Sequence, residues 1–332
     1  MMAGFFNFLL QRREAGILAM IVLVAVVVGT IEPRFIAMDT LRIVALAVPL
    51  ILTVAMGQMM VLIARHVDLS VGSIMAMSSI VAGMMFRDLP DLPIMAGVVA
   101  AVGVGAVLGL FNGLLVVAFR LPSIIVTLGT LSLYRGLVFW VSDARQVDPQ
   151  FIPRPLTLMS QTSPFFDIPW IVMIAGLIAV LTHLFLNHAR MGRHIYALGS
   201  NPAAAPLRGI RVVPVTLGVF VISGALAGLA GIFYASRFGY VNPGITGVGF
   251  EFTVIAAVVV GGVSINGGVG TVLGTVLGVV LLGMVSVALP ILGVSGFWQE
   301  VLNGAVIVAA LLVDRIVRER GVRAATDARS AA

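Results

Sequence analysis

Apolar residues fall into ten long runs separated by short polar breaks, at about 16–31, 43–64, 69–86, 94–119, 123–141, 168–187, 214–236, 252–263, 269–290 and 297–313. A hydrocarbon core about 30 Å thick is crossed by about 20 helical residues, close to the length of most of these runs. Backbone groups find no water inside lipid, so each run must be helical. The apolar–polar alternation of barrel strands is absent from the chain. The pattern predicts an all-α, polytopic integral membrane protein of about ten transmembrane helices. It forms one domain over 1–332, with the bundle at about 16–313 and a basic tail at 314–332. The run at 252–263 is short, and is expected to begin near Gly249 or to cross only in part. The first run follows Arg12 and Arg13, and only Glu32-Pro33-Arg34 comes after it. Without a small-residue cleavage site it reads as a retained helix rather than a signal peptide.

Composition narrows the chemistry. The chain is 60% hydrophobic and 10% charged, with a mean hydropathy of +1.13. All 20 basic residues are arginine. The absence of lysine excludes a P-loop lysine and any Schiff base, so no nucleotide site of that kind is expected in this chain. The absence of cysteine excludes disulfides and thiol chemistry. A pI near 10.9 invites a nucleic-acid reading. The arginines cluster at the ends of apolar runs, however, as topology signals do, and no nucleic-acid partner is expected. The four histidines lack metal-ligand spacing and accompanying carboxylates, so no metal site is expected. A zinc intramembrane protease is excluded by the missing His-Glu-x-x-His, and no Gly-x-Ser-x-Gly opens a helix.

Arginine counts orient the spans. With a cytoplasmic N-terminus, the inner segments hold 13 arginines and 5 acids, and the outer segments 6 arginines and 9 acids. Ten spans then place both termini in the cytoplasm. Glycines recur, largely at four-residue spacing, in three runs: Gly103, Gly105, Gly109 and Gly113; Gly224, Gly228 and Gly231; Gly270, Gly274 and Gly278. Such stripes let helix backbones approach closely. Duplicated halves are faintly suggested by glycine-bearing inner turns near Gly72 and Gly267, although turn chemistry explains them equally well.

The inner loop 188–213 is the most distinctive segment. It contains Gly192-Arg193 and then Gly199-Ser200-Asn201-Pro202-Ala203-Ala204-Ala205-Pro206-Leu207-Arg208-Gly209. Ser200 or Asn201 suits a helix cap and Pro202 its first turn. The alanines predict a short helix over about 201–208, with Arg208 at its negative end and Gly209 as its stop. A solvated basic loop is the plainer alternative.

This segment resembles the coupling segment of sugar-type ABC importer permeases, the family of the ribose, xylose, arabinose and galactose permeases. Asp68-Leu69-Ser70-Val71-Gly72-Ser73, Phe111-Asn112-Gly113 and Ala256-Ala257-Val258-Val259-Val260-Gly261-Gly262 resemble it too. The segment Thr127–Gly136 looks most like the rhamnose and autoinducer-2 members. Pro206 departs from the family pattern and would shorten or bend the helix. The resemblance implies a membrane-spanning subunit that imports a monosaccharide through a bacterial inner membrane. It further implies a second permease subunit, identical or homologous, a cytoplasmic ATPase that carries ATP and Mg, and a periplasmic sugar-binding protein. Gly192, Arg193, Gly199, Asn201, Ala204, Ala205, Arg208 and Gly209 are then the residues that contact the ATPase.

Gln58, Ser73, Asn112, Thr127, Thr130 and Tyr134 are hydrogen-bonding groups inside apolar runs. They could replace a sugar's water during passage, or simply bond helix to helix. Arg135 is a charge within the fifth run and must face the bundle interior. It either forms a structural ion pair, with Glu251 or Asp143 as partner, or belongs to the path. Asp68 precedes the third run and reads as a helix cap, with a contact to the ATPase or to Arg65 as the alternative. An ion-coupled secondary transporter is the rival reading, but it would normally carry carboxylates inside its spans, and almost none are present.

Overall fold

The computed structural model describes residues 13–163 and 167–309. The tail at 314–332 therefore lies outside the described residues, as do Arg12 and the end of the tenth run. Eleven α-helices run in chain order: α1 Arg13–Ile31, α2 Met38–Ile63, α3 Val71–Asp88, α4 Ile94–Phe119, α5 Ser123–Val141, α6 Arg154–Gln161, α7 Trp170–His188, α8 Arg190–Ser200, α9 Val212–Phe238, α10 Phe250–Val260 and α11 Val272–Ile291. A further helical stretch, α12, covers 297–309. Among the described residues there is one isolated bridge, Val147 with Val241, and no longer strand.

Seven of these helices are long and apolar enough to cross a membrane: α1, α2, α4, α5, α7, α9 and α11. α3 is long enough but is diluted by Ser73, Ser78 and Ser79 and ends on Arg87-Asp88. α10 has 11 residues, so it extends about 16 Å and cannot cross alone.

α2 is the axis of the bundle. In its most apolar 18 residues 89% are buried, against 11% in α1, which lies on the periphery against α11. α9 packs against α4, α2 and α3. The glycine stripes make these crossings possible. A methyl on Gly105 would collide with the Gly224 carbonyl, and one on Gly224 with the Gly105 carbonyl. Lipid tails compete for every apolar side chain, so close backbone packing supplies the attraction that water supplies in soluble cores. Outward faces remain apolar, as at Leu128 and Leu177.

Two segments within the bundle are not helical. Residues 64–70 join α2 to α3, and residues 239–249 join α9 to α10. The second meets the first turn of α3, where Gly72 and Gly247 touch backbone to backbone, each close enough that a methyl would strike the other's carbonyl. Both α3 and α10 begin at this junction.

Candidate functional site

The inner loop differs from its predicted form. A helix does form, but over Arg190–Ser200, ahead of the expected place. Its buried residues Ile195, Leu198 and Gly199 recur on one face. Residues 201–209 are not an α-helix. Asn201 Oδ1 accepts from the Ala204 amide at 3.0 Å, closing a capped turn. One 3-10 turn follows at Pro206–Arg208, and Gly209 ends it in the left-handed conformation with φ 77°. The proline ring removes the donor that would continue the helix. Ala205 is buried beneath this projection, whereas Leu207 is 87% exposed at its tip and Arg208 is exposed beside it.

The α8 base is locked to the ends of other elements. Gly199 sits so close to the Ile63 carbonyl and the Gly268 amide that no side chain fits. The Gly268 amide donates to the Ile63 carbonyl at 2.9 Å. Tyr196 donates to the Gly270 carbonyl at 2.8 Å. Gly192 packs on the carbonyls of Phe185 and Leu186 at the sharp α7–α8 bend. The Arg193 guanidinium donates to the His188 carbonyl at 3.0 Å. The base of the projection therefore touches both the end of α2 and the glycine loop 261–270.

Two of the predicted path residues, Asn112 and Tyr134, join Asp68 and Ser70 in one buried polar network at the start of α3, while Thr127, Thr130 and Ser73 bond to backbone carbonyls. Asp68 Oδ1 accepts from the Ser70 amide at 2.9 Å and the Ser70 hydroxyl at 2.7 Å. Asn112 donates to Ser70 Oγ at 2.7 Å. The Tyr134 hydroxyl points between Asn112 Oδ1 and the Leu108 carbonyl, 2.9 Å from each. Thr127 donates to the carbonyls of Ser123 and Val67, and Ser73 to that of Leu131. Thr130 bonds within its own helix, to Thr127. Asp68 is not the helix cap predicted from sequence. It braces Ser70, which occupies the cap position without a capping bond from its own side chain. Its other oxygen, Oδ2, has no hydrogen-bond partner in the protein. Burial pushes the Asp68 carboxyl up from its ordinary value, against the lowering bonds from Ser70 and Asn112.

Arg135 also differs from expectation. Neither Glu251 nor Asp143 forms an ion pair with it; the only ion pairs among the described residues are Arg34–Glu32 and Arg87–Asp88. Its guanidinium donates to the carbonyls of Thr246 at 2.8 Å and Pro243 at 3.3 Å. These carbonyls belong to the irregular segment 239–249, which enters the bundle as turns rather than as a continuous helix. A cation with five donors satisfies such backbone where water is excluded. Glu251 lies in the first turn of α10, where the helix dipole favours a carboxylate, and its Oε2 rests against Gly72.

Gln58 stands apart from this network. It is wholly buried in α2, and neither its amide nitrogen nor its oxygen has a hydrogen-bond partner among the described residues.

A cavity of 620 Å³ opens at the other end of the bundle, where α2 begins and α9 and α11 end. Tyr234, Arg237, Phe238, Tyr240, Ser286 and Gln299 contribute to its wall. The Arg237 guanidinium lies 5.0 Å from the centre of the Phe238 ring, and the Tyr234 and Phe238 rings are 4.5 Å apart. None of the six path candidates from sequence lines this cavity. Its residues come from four distant segments and share no motif. The single legible signal was the density of aromatic residues beside Arg237.

The family model described as branched-chain amino acid transport system, permease component, matches residues 39–311. The chain is 33% identical over 316 residues to the autoinducer 2 import system permease protein of Salmonella typhi, covering 94% of this chain and 88% of that one. It is 33% identical over 324 residues to the protein of that name in Escherichia coli K12, covering 96% and 92%. For the Yersinia enterocolitica protein the figures are 33% over 325 residues, 96% and 88%. No solved structure matches the chain.

Proposed function

The chain belongs to the sugar-type permease family of ABC importers, and from that premise we propose that it forms the path of a monosaccharide-like solute across a bacterial inner membrane, driven by ATP and Mg in a separate cytoplasmic ATPase. It is a multi-pass membrane protein whose relatives are transporter subunits. The proposed topology has ten crossings, with both termini and residues 188–213 on the cytoplasmic side. α3, the half-helix α10 and α12 complete the count, the first two in the company of their irregular neighbours. A second permease subunit and a periplasmic binding protein complete the importer. The relatives' printed names favour an autoinducer-2-like furanose as solute, with rhamnose or another pentose or hexose as the wider class.

The observation that carries this reading is the projection at 201–209. It exposes Leu207 and Arg208 on a base that is wedged, through Gly199, against the end of α2 and the loop 261–270. That is the shape of a part that docks outside and pushes inside. Asn201, Ala204, Ala205, Arg208 and Gly209 shape the projection, and Gly192, Arg193 and Gly199 seat it. The 620 Å³ cavity is the proposed entry, since a monosaccharide fits that volume and its wall offers aromatic faces and hydroxyls. Gln58, Ser73, Asn112, Thr127, Thr130 and Tyr134 then serve the interior, where Asp68, Arg135 and Glu251 hold the broken segments in place.

The test is reconstitution with the ATPase and binding protein. Ala204→Glu should insert normally yet lose ATP-driven uptake and copurification of the ATPase. Because the native chain has no cysteine, a single Leu207→Cys reports sidedness. Labelling of that cysteine by an impermeant reagent added outside intact cells would overturn the topology.

A further inference from the structure

A second cavity, of 340 Å³, lies at the α8 end of the bundle. Its apolar wall includes Val116 and Val117 from the last turns of α4 and Val212 and Val213 from the first turn of α9. Leu198 of α8 and Pro202 of the projection close another side. Arg65 and Arg120 stand on its wall, and no acidic residue does.

Both arginines occupy the same unusual position. Arg65 follows α2 with φ 68°, and Arg120 follows α4 with φ 53°. At the end of α2 the Arg65 amide donates to the Leu62 carbonyl at 2.9 Å and the His66 amide to the Val61 carbonyl at 3.0 Å. This is the left-handed helix stop that glycine or asparagine ordinarily fills. A β-carbon is disfavoured there. Two helices that end at one cavity thus both carry, at the strained position, a long cationic side chain that backbone geometry does not ask for. Neither guanidinium makes an ion pair or a hydrogen bond recorded among the described residues. His66, which also lines the wall, adds no positive charge near neutral pH: burial against Phe220 holds its imidazole down to about 4.

We propose that this cavity holds the headgroup of an anionic phospholipid, with its phosphate between Arg65 and Arg120. Guanidinium forks match phosphate oxygens in pairs. Basic pockets between helices on the cytoplasmic side suit acidic headgroups. The choice of a lipid over a free anion rests on the apolar rim. Leu121 and Val213 are 44% and 48% exposed beside the arginines, a surface for acyl chain rather than for water. The headgroup would also touch Leu198 and Pro202, and so stand against the projection itself. The inference requires membrane insertion but not the transport reading.

Native mass spectrometry of the purified full chain in mixed micelles tests it, with dioleoyl phosphatidylglycerol and dioleoyl phosphatidylcholine as probes. Wild type should retain the glycerol lipid selectively. Arg120→Gln and Arg65→Asn, the latter chosen because asparagine tolerates the left-handed position, should each weaken retention about fivefold, or about 1 kcal/mol. Their combination should abolish the selectivity. Arg190→Gln, on the same side but outside the cavity, should leave it unchanged, and Arg120→Lys should preserve most of it. Equal retention of the two lipids by wild type, or undiminished selectivity in the double variant, would overturn the proposal. Full displacement of the lipid by 20 mM sodium phosphate would overturn the lipid assignment in favour of a free anion.

Discussion

Gly199→Ala is the sharpest perturbation of the proposed coupling. A β-carbon at this position stands 2.6 Å from the Gly268 nitrogen and overlaps the Ile63 carbonyl oxygen. Ordinary non-bonded separation is about 3.5 Å, so α8 must retreat by about 2 Å to clear the Ile63 oxygen. Both obstacles are backbone and neither can rotate away. The retreat also stretches the 2.9 Å bond from Gly268 to Ile63, which the incoming carbon approaches from the side. Overpacking costs about 1–3 kcal/mol and the lost bond about 1 kcal/mol, so a total of about 2–4 kcal/mol is expected at the junction. The damage is confined to the seat of the projection, because residues 201–209 remain free to dock. The expected result is a reconstituted importer that still binds its ATPase but couples poorly. ATP-driven uptake should fall at least tenfold while copurification of the ATPase stays near wild type. Gly129→Ala is the control, since nothing lies within 4 Å of a β-carbon there. Uptake and stability at wild-type levels in Gly199→Ala would refute the claim that this backbone contact carries force.

Gly224→Ala should destabilise the α4–α9 crossing by about 2 kcal/mol or more, read as a lowered midpoint in thermal unfolding of the purified chain, because the Gly105 carbonyl blocks the new methyl. Tyr134→Phe leaves buried Asn112 Oδ1 without its donor and should cost about 1–3 kcal/mol in the same assay. His66 is held neutral, with its folded value about 4 below the ordinary 6.5. The unfolded chain therefore binds the extra proton first as pH falls, and about 3 kcal/mol of stability should be lost between pH 6.5 and 4. In His66→Gln that part of the pH dependence should vanish. Asp68 has the opposite sign, because its folded value is raised by burial. Its contribution to stability is present at low pH and is lost as pH rises from the ordinary carboxylate range to the raised value, so Asp68→Asn should remove that part of the pH dependence.

The sequence alone determined that the chain is helical and membrane-embedded, because hydrocarbon length and backbone satisfaction leave an apolar run no alternative. It also located the close crossings, since a glycine stripe such as Gly105, Gly109 and Gly113 is legible as spacing. It marked the inner loop as the distinctive segment, and Gly209 as its stop. The register of that loop was decided otherwise. Alanine content argued for a helix over 201–208, but Pro206 cuts the bonding there, and the buried face of Ile195, Leu198 and Gly199 moves the helix to 190–200. Arg135 was recognised as an interior charge, but its partners are backbone carbonyls of residues 243 and 246, and carbonyls carry no letter in a sequence. The first turn of α3 and the broken segment 239–249 meet through Gly72 and Gly247, 175 residues apart, and the two cavities draw their walls from several elements each. Local pattern reports what one helix needs from its surroundings; which segment supplies it is settled only when the bundle closes.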